Sequence, residues 1–207
     1  MRREVKGSHL FHQLRANIAI MIRLLLSSSL VACLATILSA CTSSSHDDFA
    51  GQYLEALEEH PGAEADMEAA TGRFMAVFEN FHDNKLRERV EAAYAPELYF
   101  NDTMHTFRDR NTLHAYLQRT AGRIESMEVE LLGWSRQGTD LYVRWTMKTR
   151  FRILGRESAP RTSGMSHLRL DDAGKIILQQ DFWDSSQGFL EHIPVFGGSI
   201  RWLRARL

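Results

Sequence analysis

Two aspartates stand where carboxylates could work together. Asp102 closes the stretch "ELYFND", and Asp181 lies inside "KIILQQDFW". Two carboxyl groups held in unlike surroundings can serve as acid and base at a single pH. In the second stretch, strand alternation puts Gln179, Asp181 and Trp183 on one face with Ser166 and Leu168 of the preceding run, and Trp145 and Met147 supply an apolar wall. Asp102 and Asp181 then form a two-carboxylate pair. Each residue also has a plain structural reading. Asp102 can be the cap or turn residue after a strand, Asp181 and Asp184 can be acids at a solvated strand edge, and Trp145, Met147 and Trp183 can be ordinary core.

Other chemistries find no support. The nine histidines include no H-x-H and no H-E-x-x-H, and His105 and His114 fall in different elements, so no metal is expected and no cofactor is implied. "SGMSHL" is not a nucleophile elbow, because Leu168 stands where a second glycine is required. The net charge of -1 hides an uneven layout. Residues 1–40 carry Arg2, Arg3, Lys6, Arg15 and Arg23 against Glu4, which leaves 20 basic and 25 acidic residues beyond them. That balance argues against a nucleic-acid partner.

The elements that must position these side chains are legible from periodicity. From Met67, the residues Met67, Ala70, Phe74, Val77, Phe78 and Phe81 recur every three or four positions with Asp66 as N-cap, which predicts a buried-face helix. A second helix is expected over 84–94, burying Leu86, Val90 and Tyr94 and ended by Pro96. A third follows Asn111 and aligns Leu113, Tyr116, Leu117 and Thr120. Beyond Glu125 the period changes to two. "TDLYVRWTMKTRFRI" puts Leu141, Val143, Trp145, Met147 and Phe151 on one face, and Tyr142, Arg144, Lys148, Arg150 and Arg152 on the other. The basic row marks a solvated sheet face or a dimer surface. Asp171-Asp172-Ala173-Gly174 joins the last two strands as a hairpin turn. Helices followed by a run of antiparallel strands spell α+β, a curved sheet with three helices on its concave side.

Two stretches, "AYAPELYFND" with "FRDRNTLHAYL" and "SHLRLDDAGKIILQQDFWD", resemble the nuclear-transport-factor-2-like superfamily in its SnoaL-like and ketosteroid-isomerase-like branch, over roughly residues 67–186. The resemblance implies a cone-shaped pocket that serves isomerases, cyclases, hydrolases or simple binding modules, and a homodimer through the outer sheet face. It places Asp102 where the isomerases keep their general base. Phe74 stands at the approximate place of their donor tyrosine, and Ser166 at that of their protonated aspartic acid. The usual oxyanion-hole donors are therefore missing, and steroid-type isomerisation is not expected. The epoxide hydrolases of the same branch use two aspartates around an arginine, the pattern that Asp102, Asp181 and Arg108 or Arg110 would follow.

The N-terminal region gives the chain an address. "LLLSSSLVACLATILSA", uncharged and preceded by basic residues, reads as an export signal, with Met21 as well as Met1 available as initiator. Leu38-Ser39-Ala40-Cys41 resembles the bacterial lipobox, which implies that Cys41 is lipidated and holds the protein to a membrane. Thr42 after it implies the outer membrane, facing the periplasm, in a Gram-negative cell. Residues 1–40 are then the signal peptide, 41–66 the lipidated cysteine and a tether with seven acids and no Lys or Arg, 67–186 the SnoaL-like domain, and 187–207 an apolar and basic tail. The tail is expected to pack on the domain or close the pocket as a lid, with contact to a membrane interface as the alternative. Two functions stay open. One is an envelope lipoprotein binding a small apolar molecule in a pocket of Phe74, Trp145, Met147, Ser166, Gln179 and Trp183. The other is an enzyme of the isomerase, cyclase or epoxide-hydrolase type using Asp102 and Asp181.

Overall fold

The helical period that begins at Met67 is realised as a helix of twelve residues, Met67–Phe78, whose Asp66 cap accepts a hydrogen bond from the Ala69 amide at 2.9 Å. The structure is a computed structural model that describes residues 49–194 and 196–207. The signal peptide, Cys41 and the first part of the tether lie outside the described residues. In chain order the elements are α1 (Phe49–Glu59), α2 (Met67–Phe78), α3 (Leu86–Ala93), β1 (Tyr94–Asn101), β2 (Thr106–Asp109), α4 (Arg110–Ala121), β3 (Ile124–Gln137), β4 (Asp140–Ile153), β5 (Arg156–Ser158), β6 (Arg161–Leu170), β7 (Ile176–Trp183), α5 (Ser185–Gly188), a 3-10 turn at Leu190–His192, and α6 (Phe196–Arg204). Ala50–Leu207 form one compact unit with its own core.

The strands make one curled sheet in the order β2-β1-β7-β6-β4-β3, with β5 paired to the end of β4. Five of its pairings are antiparallel. The sixth differs from the all-antiparallel expectation, because β1 runs parallel to β7. That pairing joins segments about eighty residues apart, and neither strand's own pattern could announce it. The core follows the expected faces. Phe74, Val77, Val90 and Leu113 of the helices, none more than 1% exposed, pack on Leu141, Val143 and Leu168 of the sheet. Each such side chain contributes roughly 1.5–3 kcal/mol when taken out of water. The hairpin between β6 and β7 turns as its composition requires. Asp171 Oδ1 accepts from the Ala173 and Lys175 amides, and Gly174 takes the left-handed conformation at φ +73°.

Residues 50–66, expected to belong to a tether, are instead built into the unit. Tyr53, Ala56 and Leu57 of α1 pack on Tyr99 and Leu178, on the sheet face opposite the core. The Tyr53 hydroxyl donates to His167 Nδ1 at 2.7 Å, and His167 Nε2 donates in turn to Asp140. Burial pushes the His167 pKa down, so the ring is neutral and Nδ1 is free to accept. Arg169 ties down the end of the helix by donating to the carbonyl oxygens of Leu57 and His60. The outer face expected to pair two copies is thus occupied, over β1, β7 and β6, by the chain's own helix. The basic row of β4, Arg144, Lys148, Arg150 and Arg152, is exposed.

The tail packs as well. α6 sits against the 3-10 turn, with Arg201 donating to the Glu191 carbonyl at 2.7 Å and Arg204 paired with Glu191 and Asp184. Trp202 and Leu203 are exposed, and Arg206 lies over the Trp202 ring at 3.7 Å. No described helix is long and apolar enough to cross a membrane.

Candidate functional site

The inward row of β4, Trp145, Met147, Thr149, Phe151 and Ile153, forms one wall of a cavity of about 770 Å3. Eight steps of strand at roughly 3.3 Å each make this a long wall. Opposite it stand Phe74 and Phe78 of α2 with Phe81 beyond it, and Tyr116, Leu117 and Thr120 of α4. Trp183 closes one end. It lies against β6 only because position 164 is glycine, where a Cβ would fall 2.5 Å from the Trp145 ring and 2.9 Å from the Trp183 Cβ.

The floor at that end is polar and carries both aspartates. Asp102 leaves β1 into a tight turn in which Thr103 adopts φ +76°, a strained conformation for a β-branched residue. The turn lets Asp102 Oδ1 accept from the amides of Met104, at 2.9 Å, and His105, at 2.8 Å. Asp102 Oδ2 accepts a hydrogen bond from the Tyr116 hydroxyl. Burial first, and then the Asp102 charge, push the Tyr116 pKa up, so its hydroxyl stays protonated and donating. The Trp183 indole donates to the Asp102 carbonyl at 2.8 Å and fixes the turn to the end of β7.

Asp181 faces the same floor from β7, one strand from Ser166, its antiparallel partner. Ser166 Oγ donates to Asp181 Oδ1 at 2.6 Å, and Gln179 Nε2 donates at 2.9 Å and 3.1 Å to the two oxygens. Behind these, Trp145 Nε1 donates to Ser166 Oγ at 3.0 Å, and the Tyr94 hydroxyl donates to Gln179 Oε1 at 2.6 Å. Every hydrogen of this network points toward Asp181. Burial nonetheless raises the Asp181 pKa to about 7, with the Asp102 charge adding to the rise and the bonds from Ser166 and Gln179 opposing it. Near neutral pH the floor therefore holds a carboxyl group able to carry a proton, beside Asp102, whose hydrogen-bond partners are all donors. That is the layout of an acid and base pair in a mostly apolar chamber.

Of the residues expected at the site, Asp102, Asp181, Phe74, Trp145, Met147, Ser166 and Trp183 all line the cavity. Gln179 does not. It is fully buried behind Asp181 and acts through it, held there by the Tyr94 hydroxyl. Neither Arg108 nor Arg110 reaches the carboxylates. Arg108 pairs with Glu59 and lies over Tyr99 on the outer face, and Arg110 donates to the Tyr94 carbonyl. Asp184 is a helix cap, accepting from the Gln187 amide at 3.0 Å. Of the tail, Gly188 and Phe189 border the cavity and α6 does not.

Two contributors were not legible as such. Tyr116 reads in sequence as one more position on a buried helix face, and its spacing carried no sign of the hydroxyl bond to Asp102. Arg123 follows the end of α4 and lines the cavity with Arg152, at the end away from the aspartates. Among the described residues, no three His, Cys, Asp or Glu side chains are grouped so as to hold a metal ion.

A sequence model of the SnoaL-like domain family matches residues 71–179, more than half of the 207-residue chain. No curated protein matches the sequence. Among solved structures, an NTF2-like protein of unknown function from Exiguobacterium sp. 255-15 is 17% identical over 56% of this chain and 98% of its own, with a TM-score of 0.49. An LEH-like epoxide hydrolase from M. tuberculosis is 21% identical over 66% of this chain and 93% of its own, with a TM-score of 0.47. TsrD from Streptomyces laurentii is 20% identical over 60% and 94%, with a TM-score of 0.48.

Proposed function

The chain belongs to the SnoaL-like domain family, and from that premise we propose that it is an envelope lipoprotein whose domain binds a small, mostly apolar molecule. The observation that carries this reading is the cavity itself. It has about 770 Å3 of space, walls of Phe, Met, Leu and Trp, and only a short polar stretch around the two aspartates. Attachment rests on Leu38-Ser39-Ala40-Cys41, and Thr42 after it would place the domain at the outer membrane of a Gram-negative cell. Native mass spectrometry of residues 42–207 purified from cells tests the binding. A co-purifying lipid or hydrophobic metabolite is the expected result, and a species that stays empty when incubated with cell lipid extract counts against the reading.

A second reading has its own support in the unlike pair Asp102 and Asp181. An isomerase, cyclase or epoxide hydrolase would need one group to take a proton and another to give one. Asp102, at the mouth of a turn, and the proton-holding Asp181 could divide those roles. Asp102→Asn separates the two readings, since an enzyme keeps its ligand and loses turnover, whereas a binder keeps its ligand with no turnover to lose.

A further inference from the structure

The cavity has two chemically different ends. At the floor sit the two aspartates with Tyr116. At the other end α4 runs out past Thr120, and Arg123 stands exposed on the rim, with Ile124 beside it held by His82 Nε2 at 2.9 Å from its carbonyl oxygen. Arg152 shares that rim but is committed to Glu125 and Glu157. Arg150 is likewise paired with Glu157. Arg123 has no acidic partner among the described residues. The charged residues that line this end are Arg123 and Arg152, and with Arg152 offset by its two glutamates Arg123 is the cation left to a ligand. Between rim and floor the walls are apolar, from Phe151 and Phe81 inward to Trp145 and Phe74.

We infer that the molecule this cavity takes is a long-chain carboxylate, its anionic end held at the rim by Arg123 and its apolar body running inward toward the floor. The inference rests on the proposed binding function and names its ligand class. A guanidinium offers a carboxylate two parallel hydrogen bonds, and one uncommitted arginine matches one charge. A phosphate monoester would bring about −1.5 to −2 charges and leave part of them unpaired. A neutral apolar molecule would leave Arg123 without a role.

The test uses delipidated residues 42–207, which contain the whole compact unit and its core, titrated by calorimetry with decanoate and with decan-1-ol. Decanoate is expected to bind at least ten-fold more tightly, with an affinity that falls as salt is raised, while decan-1-ol is insensitive to salt. Arg123→Gln, on an exposed position and checked for folding by circular dichroism, should weaken decanoate about ten-fold and leave decan-1-ol unchanged. Arg123→Lys should recover part of the loss. If decan-1-ol binds as tightly as decanoate, or Arg123→Gln weakens both alike, the carboxylate inference is wrong and apolar binding stands. If neither compound binds, both fall.

Discussion

At the scale of single residues, Asp181 shows how burial sets chemistry. Its ordinary pKa of 3.8 rises to about 7 in the folded protein, so between those values the native state holds a proton that the unfolded chain has released. Stability must then fall as pH climbs from about 4 to about 7 and level off above. Three units correspond to roughly 4 kcal/mol as an upper scale. Asn cannot titrate, yet its oxygen can still accept from Ser166 and Gln179. Asp181→Asn should therefore flatten the dependence and make the protein more stable than the parent at pH 8. Urea unfolding at pH 5 and pH 8 reads this directly, and an unchanged pH slope in the variant would assign the effect to another group. The position of Asp181 on the pocket face was legible, because strand alternation fixes a face without any knowledge of partners. Its company was only half legible. Ser166 and Trp145 follow from alternation, but Tyr116 comes from a helix whose rotation against the sheet is set by packing, and Gln179 shares the Asp181 face in sequence yet ends behind the wall.

Among elements, α1 is the segment where charge counting misleads. Residues 42–66 carry seven acids and no Lys or Arg, which describes a solvated spacer. Within them, however, Tyr53, Ala56, Leu57 and His60 recur at helical spacing, and that narrow stripe is enough to dock on Tyr99 and Leu178. What secures it is partly polar. Arg169 is half of a pair with Asp140 and also closes the last carbonyls of the helix. Arg169→Ala leaves those oxygens without their donor and Asp140 with His167 alone, at a cost of about 1–3 kcal/mol. Amide exchange should accelerate ten-fold or more along Tyr53–His60 while the β4–β6 amides keep their protection. Equal acceleration in both would mean that α1 and the sheet open as one cooperative unit. The helices α2 to α4 and the long strands β3 and β4 were legible from period alone. β2 was not, being four residues whose only signal is its pairing with β1, and neither was the parallel contact of β1 with β7.

For the molecule as a whole, the proposed anchor makes a simple demand. Cys41→Ser should move the protein from the membrane to the soluble fraction of cells, and fractionation after processing would show it. Retention on the membrane would mean that some other part of the chain holds it there. Within the domain, α4 and the residues just after it carry Tyr116 at the floor and Arg123 at the rim, seven residues and about 10 Å of helix rise apart. A rigid rod fixed at both ends is a ruler. A carboxylate caught at the rim gains roughly 0.8 kcal/mol for each further methylene it buries, until its far end meets the floor. Beyond that length added carbons reach Asp102 and the exposed Met104 and His105 and gain little from burial, so this fold would grade its ligands by size with the helix that carries Tyr116.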